Sequence, residues 1–155
     1  MNIRRATFND ARFLFGLRNE PEVRLASWNS ELIEFAGHQK WLTSALTNPN
    51  RVLYVVENEN KEAVGQVRYD LESEDKAEIG VSISGNVGGK GYGAGSLVES
   101  AKIFFDEFPK VKKISAHIKP DNAGSVKAFK KAGYSAPKET DYDGHRCLEM
   151  ILIRQ

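Results

Sequence analysis

The spacing of apolar residues along the chain switches repeatedly between a strand period and a helical period, and the switches outline its elements. A strand-like segment at Asn2–Thr7 leads into a helix beginning at Asn9 or Asp10, with Phe13, Leu14 and Leu17 on one face. A second helical stretch runs from roughly Ile33 to Leu46. It stops before Asn48-Pro49, because a residue preceding proline is pushed out of the helical region. Arg51-Val52-Leu53-Tyr54-Val55-Val56-Glu57 is rich in β-branched and aromatic residues and reads as a strand. Asn58-Glu59-Asn60-Lys61 is turn chemistry, so Ala63–Leu71 is expected to pair back as a second strand. The acidic turn Glu72-Ser73-Glu74-Asp75 then precedes a third, Lys76–Ser84. Leu97, Val98, Ala101 and Phe104-Phe105 recur at helical spacing. Lys113–Ile118 reads as a strand, Lys119-Pro120-Asp121-Asn122 as a turn, and Ser125–Ala132 as a short helix stopped by Gly133. A closing pair of strands is expected at Tyr134–Thr140 and His145–Ile153.

The densest chemical signal lies where the third strand hands over to the next helix, in Ser84-Gly85-Asn86-Val87-Gly88-Gly89-Lys90-Gly91-Tyr92-Gly93-Ala94-Gly95-Ser96. Glycines let the backbone approach a ligand and turn its N–H groups inward. The helix N-terminus adds partial positive charge, so this turn is a candidate cradle for a phosphate or pyrophosphate, with Lys90 as a nearby cation. A Walker A loop does not fit: aligned on Gly89-Lys90, it places Ser84 at the first glycine and Gly91 at the magnesium-binding hydroxyl. Gly89-x-Gly91-x-x-Ala94 fits a relaxed dinucleotide fingerprint. However, only one more clear strand–helix unit follows, and Lys119 stands after the next strand in place of an acidic ribose ligand. A turn with no ligand is the bland alternative.

Gly88-x-x-Gly91-x-Gly93 between a strand and a helix resembles the pyrophosphate loop of the GNAT superfamily of acyl-CoA-dependent N-acetyltransferases, whose usual pattern is Arg/Gln-x-x-Gly-x-Gly/Ala. Gly88 departs from that pattern and removes one side-chain contact, which leaves backbone donors of Gly88, Gly89, Lys90, Gly91, Tyr92, Gly93 and Ala94 to hold the pyrophosphate. Asn122-Ala123-Gly124-Ser125 through Phe129-Lys130-Lys131-Ala132-Gly133-Tyr134 resembles the family's second cofactor segment, in which the Asn bonds the pantetheine arm. Read without the family, Asn122 is a helix N-cap, and one residue can serve both purposes. The resemblance implies an α/β (α+β) GNAT fold in one domain over residues 1–155. Its mixed, mostly antiparallel sheet would have about six to seven strands, flanked by about four helices. It also implies that the strands Glu78–Ser84 and Lys113–Ile118 splay apart, that pantetheine lies in the gap along Val81, Ser82 and Ile83, and that acetyl-CoA is the co-substrate.

Composition narrows the setting. The 155 residues suit one domain with a real core. Acidic and basic residues nearly cancel, so neither nucleic acid nor an anionic membrane is an expected partner. No apolar run is long enough to span a bilayer, and Met1-Asn2-Ile3-Arg4-Arg5 does not look like a signal peptide. Cys147 is the only cysteine, so intrachain disulfides are excluded and a reducing cytoplasm is the expected home. His117 and His145 lack ligand-like spacing with Cys147, and no metal is expected. A homodimer is an allowed assembly.

Amine acetylation needs a neutral amine, donors for the developing oxyanion and a fate for the leaving thiolate. Glu78, on the strand entering the glycine loop, matches a position where several family members carry a general-base glutamate; the alternative is a solvent-facing strand residue in an ion pair. Family members commonly place a tyrosine acid where this chain has Phe129, which cannot donate a proton. Ser125 and Tyr134 are substitutes to test, and a thiol is acidic enough to depart unassisted as its thiolate. The segments around Arg18, Asn19, Arg24 and His38-Gln39-Lys40-Trp41 resemble a GNAT subgroup that acetylates amino groups on nucleotide-linked sugars, as in the pseudaminic-acid pathway. That resemblance casts Arg18, Asn19 and Arg24 as contacts to phosphates or sugar hydroxyls, with Trp28 or Trp41 as a stacking face and His38 on the pocket wall. Trp41 also reads as a core aromatic. A small-molecule amine is therefore the expected acceptor. The runners-up are a protein N-terminal acetyltransferase and a non-catalytic acyl-CoA-binding module.

Overall fold

In the computed structural model, which describes residues 1–155, a seven-stranded sheet is built as chain order would suggest up to its middle and then crosses over. Its strands are β1 (Asn2–Arg5), β2 (Arg51–Glu57), β3 (Ala63–Leu71), β4 (Lys76–Ile83), β5 (Lys113–Ile118), β6 (Lys138–Tyr142) and β7 (His145–Ile153). They lie in the order β1-β2-β3-β4-β5-β7-β6. Every neighbouring pair is antiparallel except β4 and β5, which run parallel because a helix connects them. The helices are α1 (Ala11–Asn19), α2 (Pro21–Ala26), α3 (Phe35–Thr47), α4 (Tyr92–Glu107) and α5 (Ala123–Lys131). The architecture is the expected mixed, mostly antiparallel α+β sheet, with five helices where about four were expected.

The alternation along β2 explains the two layers. Val52, Tyr54 and Val56 enter the larger core with Leu97, Ala101 and Phe104 of α4, while Leu53 and Val55 enter a smaller core with Leu14 of α1 and Leu42 and Ala45 of α3. Both faces of the strand are covered, which is why its sequence reads as a continuous apolar run. Tyr69 stacks on Phe104 at 4.2 Å, and its hydroxyl shares a 2.8 Å hydrogen bond with Ser100, so the polar tip is satisfied at full burial.

Several boundaries differ from the sequence reading by a residue or two, and three differences have a clear physical cause. Pro21–Ala26 is a helix of its own, started by proline at its first position, where a missing N–H costs nothing. Helix α3 begins at Phe35 because Asn19 fastens the backbone of Ile33 in an extended segment from both sides, at 3.0 Å each. Strand β6 begins at Lys138 and not at Tyr134. Gly133 (φ 95°) turns the chain so that Tyr134 packs edge-on against Phe129 in the core, and Pro137 precedes the ladder. No helix is long and apolar enough to cross a membrane.

Candidate active site

The candidate site follows from a pairing that stops early. Strands β4 and β5 are in register only from Lys76 opposite Lys113 to Ile79 opposite Ala116. Beyond that point Gly80–Ile83 stay paired with β3 alone, and their β5-facing backbone edge has no strand partner. The splay opens two contiguous cavities, of about 680 Å³ and 400 Å³, which share Val81, Ser82, Asn122, Ser125 and Phe129 on their walls. These residues form a wall common to both cavities.

The smaller cavity is bounded by the glycine loop. Gly89 (φ 78°) and Gly91 (φ 80°) are left-handed, and a Cβ at either would meet no atom within 4 Å. The conformation, not crowding, demands glycine there, and the space above the loop is open. Gly91 caps the 16-residue α4, whose first N–H groups have no intrahelical acceptor and open toward the loop with Tyr92, Gly93 and Ala94. Gly88, in contrast, has an ordinary backbone (φ −58°, ψ 147°) that any residue adopts. The Tyr92 hydroxyl points away to Glu59 at 3.0 Å. Glu20 accepts from Ser84 Oγ at 3.0 Å and Gly85 N at 2.9 Å, fastening the start of the loop to the α1–α2 junction. A free strand edge, an open glycine loop and a helix N-terminus form a donor set suited to the pantetheine amides and pyrophosphate of an acyl-CoA. Asn122 caps α5 by accepting from Ser125 N at 3.1 Å, and its amide N–H₂ remains available on the shared wall.

In the larger cavity Glu78 is the central ionisable group. Its carboxylate is mostly buried and accepts hydrogen bonds from the Tyr142 hydroxyl at 2.8 and 2.9 Å. Burial pushes the Glu78 carboxyl above the usual carboxylate range, a rise that the Tyr142 hydrogen bond and the nearby His117 partly offset. Burial and Glu78 together push the Tyr142 hydroxyl up to about 12. Tyr142 stacks on His117 at 4.1 Å, and His117 stands between two carboxylates, with Nε2 3.1 Å from Glu149 and Nδ1 3.7 Å from Glu78. Arg68, bonded to Asp70 at 2.9 Å, lays its guanidinium over Gly80, where a Cβ would fall 2.7 Å from Nη2. No local motif marks Tyr142 or His117. Only the Asp143-Gly144 turn, with φ 49° and 78°, hinted at the hairpin that fixes Tyr142 opposite His145.

The five acceptor-side residues separate into two groups. Arg18, His38 and Trp41 line the larger cavity, with Trp28, Glu34 and Lys119. Asn19 and Arg24 do not: Asn19 grips Ile33, and Arg24 Nε donates to Ser30 O at 2.9 Å, so both fasten the segment carrying Trp28 and Asn29. Arg18 donates to Asn29 O at 2.7 Å through Nη2, while its Nη1 is buried with no partner. Burial and the Arg18 charge lower the His38 imidazole below its ordinary value, so His38 is neutral near pH 7. Phe129 is buried on the shared wall; Tyr134 lies behind it, its unpartnered hydroxyl raised well above the usual tyrosine range by burial and lining neither cavity. Ser125 is the hydroxyl on the shared wall at that end.

Residues 1–135 match the family model of the acetyltransferase (GNAT) domain. The chain belongs to the GNAT acetyltransferase family. No curated protein matches the sequence. Among solved structures, this GNAT chain is similar to the aminoglycoside acetyltransferase AAC(6')-Ib in complex with paromomycin and acetyl-CoA, at 20% identity, 99% and 93% coverage of the two chains, and a TM-score of 0.86. It is also similar to spermidine N-acetyltransferase from Vibrio cholerae in complex with CoA and spermine, at 19% identity, 98% and 94% coverage, and a TM-score of 0.83. A domain from Methanocaldococcus jannaschii DSM 2661 matches at 25% identity, 97% coverage of each chain and a TM-score of 0.79. The GNAT fold thus extends over the whole chain, including the β6–β7 hairpin that brings Tyr142 to Glu78.

Proposed function

We propose that this GNAT acetyltransferase moves the acetyl group of acetyl-CoA to the primary amine of a small acceptor that also carries an anionic group, a nucleotide-linked amino sugar being the class that fits best. The observation that carries the acceptor reading is the buried, unpartnered Arg18 Nη1 on the wall of the larger cavity. A guanidinium N–H left without an acceptor inside a protein is costly, and a phosphate oxygen is the acceptor that Arg geometry suits. Arg18, Arg68 and Lys119 outnumber Glu34 and Glu78 on that wall, a balance that opposes the polyamine-type acceptors of the spermidine enzyme. Trp28 and Trp41 add flat apolar faces for a sugar or base.

In this reading acetyl-CoA supplies the activated thioester. The glycine loop and the α4 N-terminus bind its pyrophosphate, the open edge of Gly80–Ile83 pairs with its pantetheine arm and presents N–H groups to the oxyanion, and Asn122 holds the arm at the shared wall. Glu78 takes the proton of the attacking amine, and its raised carboxyl is a stronger base than a solvated one. The thiolate leaves without an acid at Phe129.

Release of CoA from acetyl-CoA, followed with a UDP-linked amino sugar, glucosamine 6-phosphate, spermidine and a tripeptide, tests the reading. Turnover is expected with the two anionic acceptors. Arg18→Ala should raise the acceptor KM by about tenfold or more, the worth of one charge-assisted contact, and leave acetyl-CoA affinity unchanged. Turnover of the tripeptide alone would move the protein to the N-terminal acetyltransferases. Tight acetyl-CoA binding with no turnover of any amine would make it a binding module.

A further inference from the structure

Gly80 is a glycine with no backbone reason to be one. It stands inside β4, opposite Arg68 of β3, and is not among the glycines with a positive φ. A glycine inside a strand loses conformational entropy and packing, and it often marks the close approach of another group. Here that group is one side chain: the three atoms nearest to a Cβ at Gly80 would be Nη2, Cζ and Nη1 of Arg68, at 2.7, 3.1 and 3.6 Å. The guanidinium therefore lies over the strand at the first residue that β5 leaves unpaired. Its Nε donates to Asp70 Oδ2 at 2.9 Å, and the other oxygen of Asp70 is held by Arg51. One carboxylate thus serves two guanidinium groups, and the cluster carries one surplus positive charge. Nη1 and Nη2 of Arg68 make no hydrogen bond within the protein, and Glu78, the other carboxylate on that face, is engaged by Tyr142. Arg68, Gly80 and Glu78 all line the larger cavity.

We propose that Arg68, seated over Gly80, is a carboxylate subsite of the acceptor cavity, and that the reacting amine and a carboxylate belong to one small unit of the acceptor. The inference rests on the reading of the larger cavity as the acceptor site, with Glu78 as the group that meets the amine. Nη1 and Nη2 form the end of a fork that a planar carboxylate fills with two parallel hydrogen bonds. A phosphate suits the position less well, because its second charge would be left facing Asp70 and Glu78. The strand sets the spacing, since positions 78 and 80 lie on one face roughly 7 Å apart. An amine at Glu78 and a carboxylate at Arg68, each within hydrogen-bonding reach, leave room for only a short link between them. An amino acid or an amino-uronic sugar has such a link. Arg18 belongs to α1, so the two guanidinium groups read separate parts of one acceptor.

Two acceptor pairs that differ at one group test the subsite: serine with serinamide, and 2-amino-2-deoxyglucuronic acid with glucosamine. The readout is the ratio of kcat/KM within a pair, in which general damage to acetyl-CoA binding or to Glu78 cancels. The wild-type ratio should favour the carboxylate, and the pair with the larger ratio tells an amino acid from a sugar. Arg68→Gln should lower the ratio by about tenfold or more. Gly80→Ala should lower it as well, because the new Cβ displaces the guanidinium while every charge remains, and its Tm should not fall. In the double variant the two losses should not add, since each removes the same contact. An unchanged ratio in Arg68→Gln would overturn the subsite and leave the acceptor cavity in place. Additive losses would overturn the seat over Gly80. Independently of turnover, the Arg68 side-chain ¹⁵N signals should shift with N-acetylserine, added beside CoA, and not with N-acetylserinamide, and Gly80→Ala should abolish the shift. That response without transfer to any amine would keep the subsite and overturn the transfer reading. An equal response to both ligands, or none, would overturn the subsite whatever turns over.

Discussion

Glu78 shows at the scale of one residue how stability and activity are set against each other. Its carboxyl titrates above its usual range because burial penalises the charged form. The linkage has one sign: a raised folded-state pKa means that the group's contribution is fully favourable only below its unfolded value, near 4.5, and is lost as pH rises through the folded value. Glu78→Gln should therefore raise Tm at pH 7, since glutamine can still accept from Tyr142, and the gain should vanish as the buffer is taken below pH 4.5. The same substitution should lower kcat about a hundredfold near neutral pH, with a smaller loss at higher pH, where more acceptor arrives already neutral. Thermal melts and rate profiles on one variant check both. A variant that is no more stable at pH 7 and equally active would return Glu78 to the role of an ordinary strand residue.

At the scale of elements, the glycine loop separates positions that need glycine from positions that merely have it. Gly91→Val forces a β-branched residue into a left-handed backbone, at about 1–2 kcal/mol, and should abolish acetyl-CoA binding by calorimetry while the fold survives. Gly93 is not left-handed, and its Cβ would stand 3.7 Å from Ala128, so Gly93→Ala tests only the space beside the cofactor. Gly88 has an ordinary backbone and an uncrowded Cβ, 3.5 Å from Gly85 O, so Gly88→Gln should fold normally. If the family's side-chain contact is regained, it should tighten acetyl-CoA binding by about threefold to tenfold; unchanged affinity would show that this loop holds its ligand through the backbone alone. Elements that bury one face or two over many residues were legible in the sequence, as β2, β3 and β4 show, because a long run constrains the period. Helix α2 was not, since six residues carry less than two turns of pattern. The glycine-loop side of the candidate site was legible for a related reason: its signal is local, in Gly88–Gly93 and Asn122–Ser125, which line one cavity. The Glu78–Tyr142 and His117–Glu149 contacts join residues 64 and 32 positions apart across strands β4 to β7, which no spacing rule reaches. Arg18, Asn19 and Arg24 look alike as a polar cluster, and only the fold sends one into the cavity and the other two to the backbone of the 29–33 segment.

For the whole molecule, the wall shared by the two cavities bears on the order of chemical events. The two cavities meet at Val81, Ser82, Asn122, Ser125 and Phe129, with the glycine loop on one side and Glu78, Arg18 and Trp41 on the other. With acetyl-CoA in the glycine-loop cavity and the acceptor in the other, as proposed, both would fit at once and the reacting atoms would meet where the walls are shared. A double-displacement route would need a nucleophile at that junction to carry the acetyl group. The single thiol, Cys147, is fully buried, lines neither cavity, and is made less acidic by burial and by Glu149, Asp141 and Glu78 nearby. Direct transfer in a ternary complex is therefore expected. Initial rates at varied acetyl-CoA and acceptor should give intersecting double-reciprocal lines, and Cys147→Ala should keep wild-type kcat after a melt confirms its fold. Parallel lines, or an acetylated protein trapped when acetyl-CoA is supplied without acceptor, would mean that a side chain on the shared wall accepts the acetyl group first, and Ser125 would be the residue to replace next.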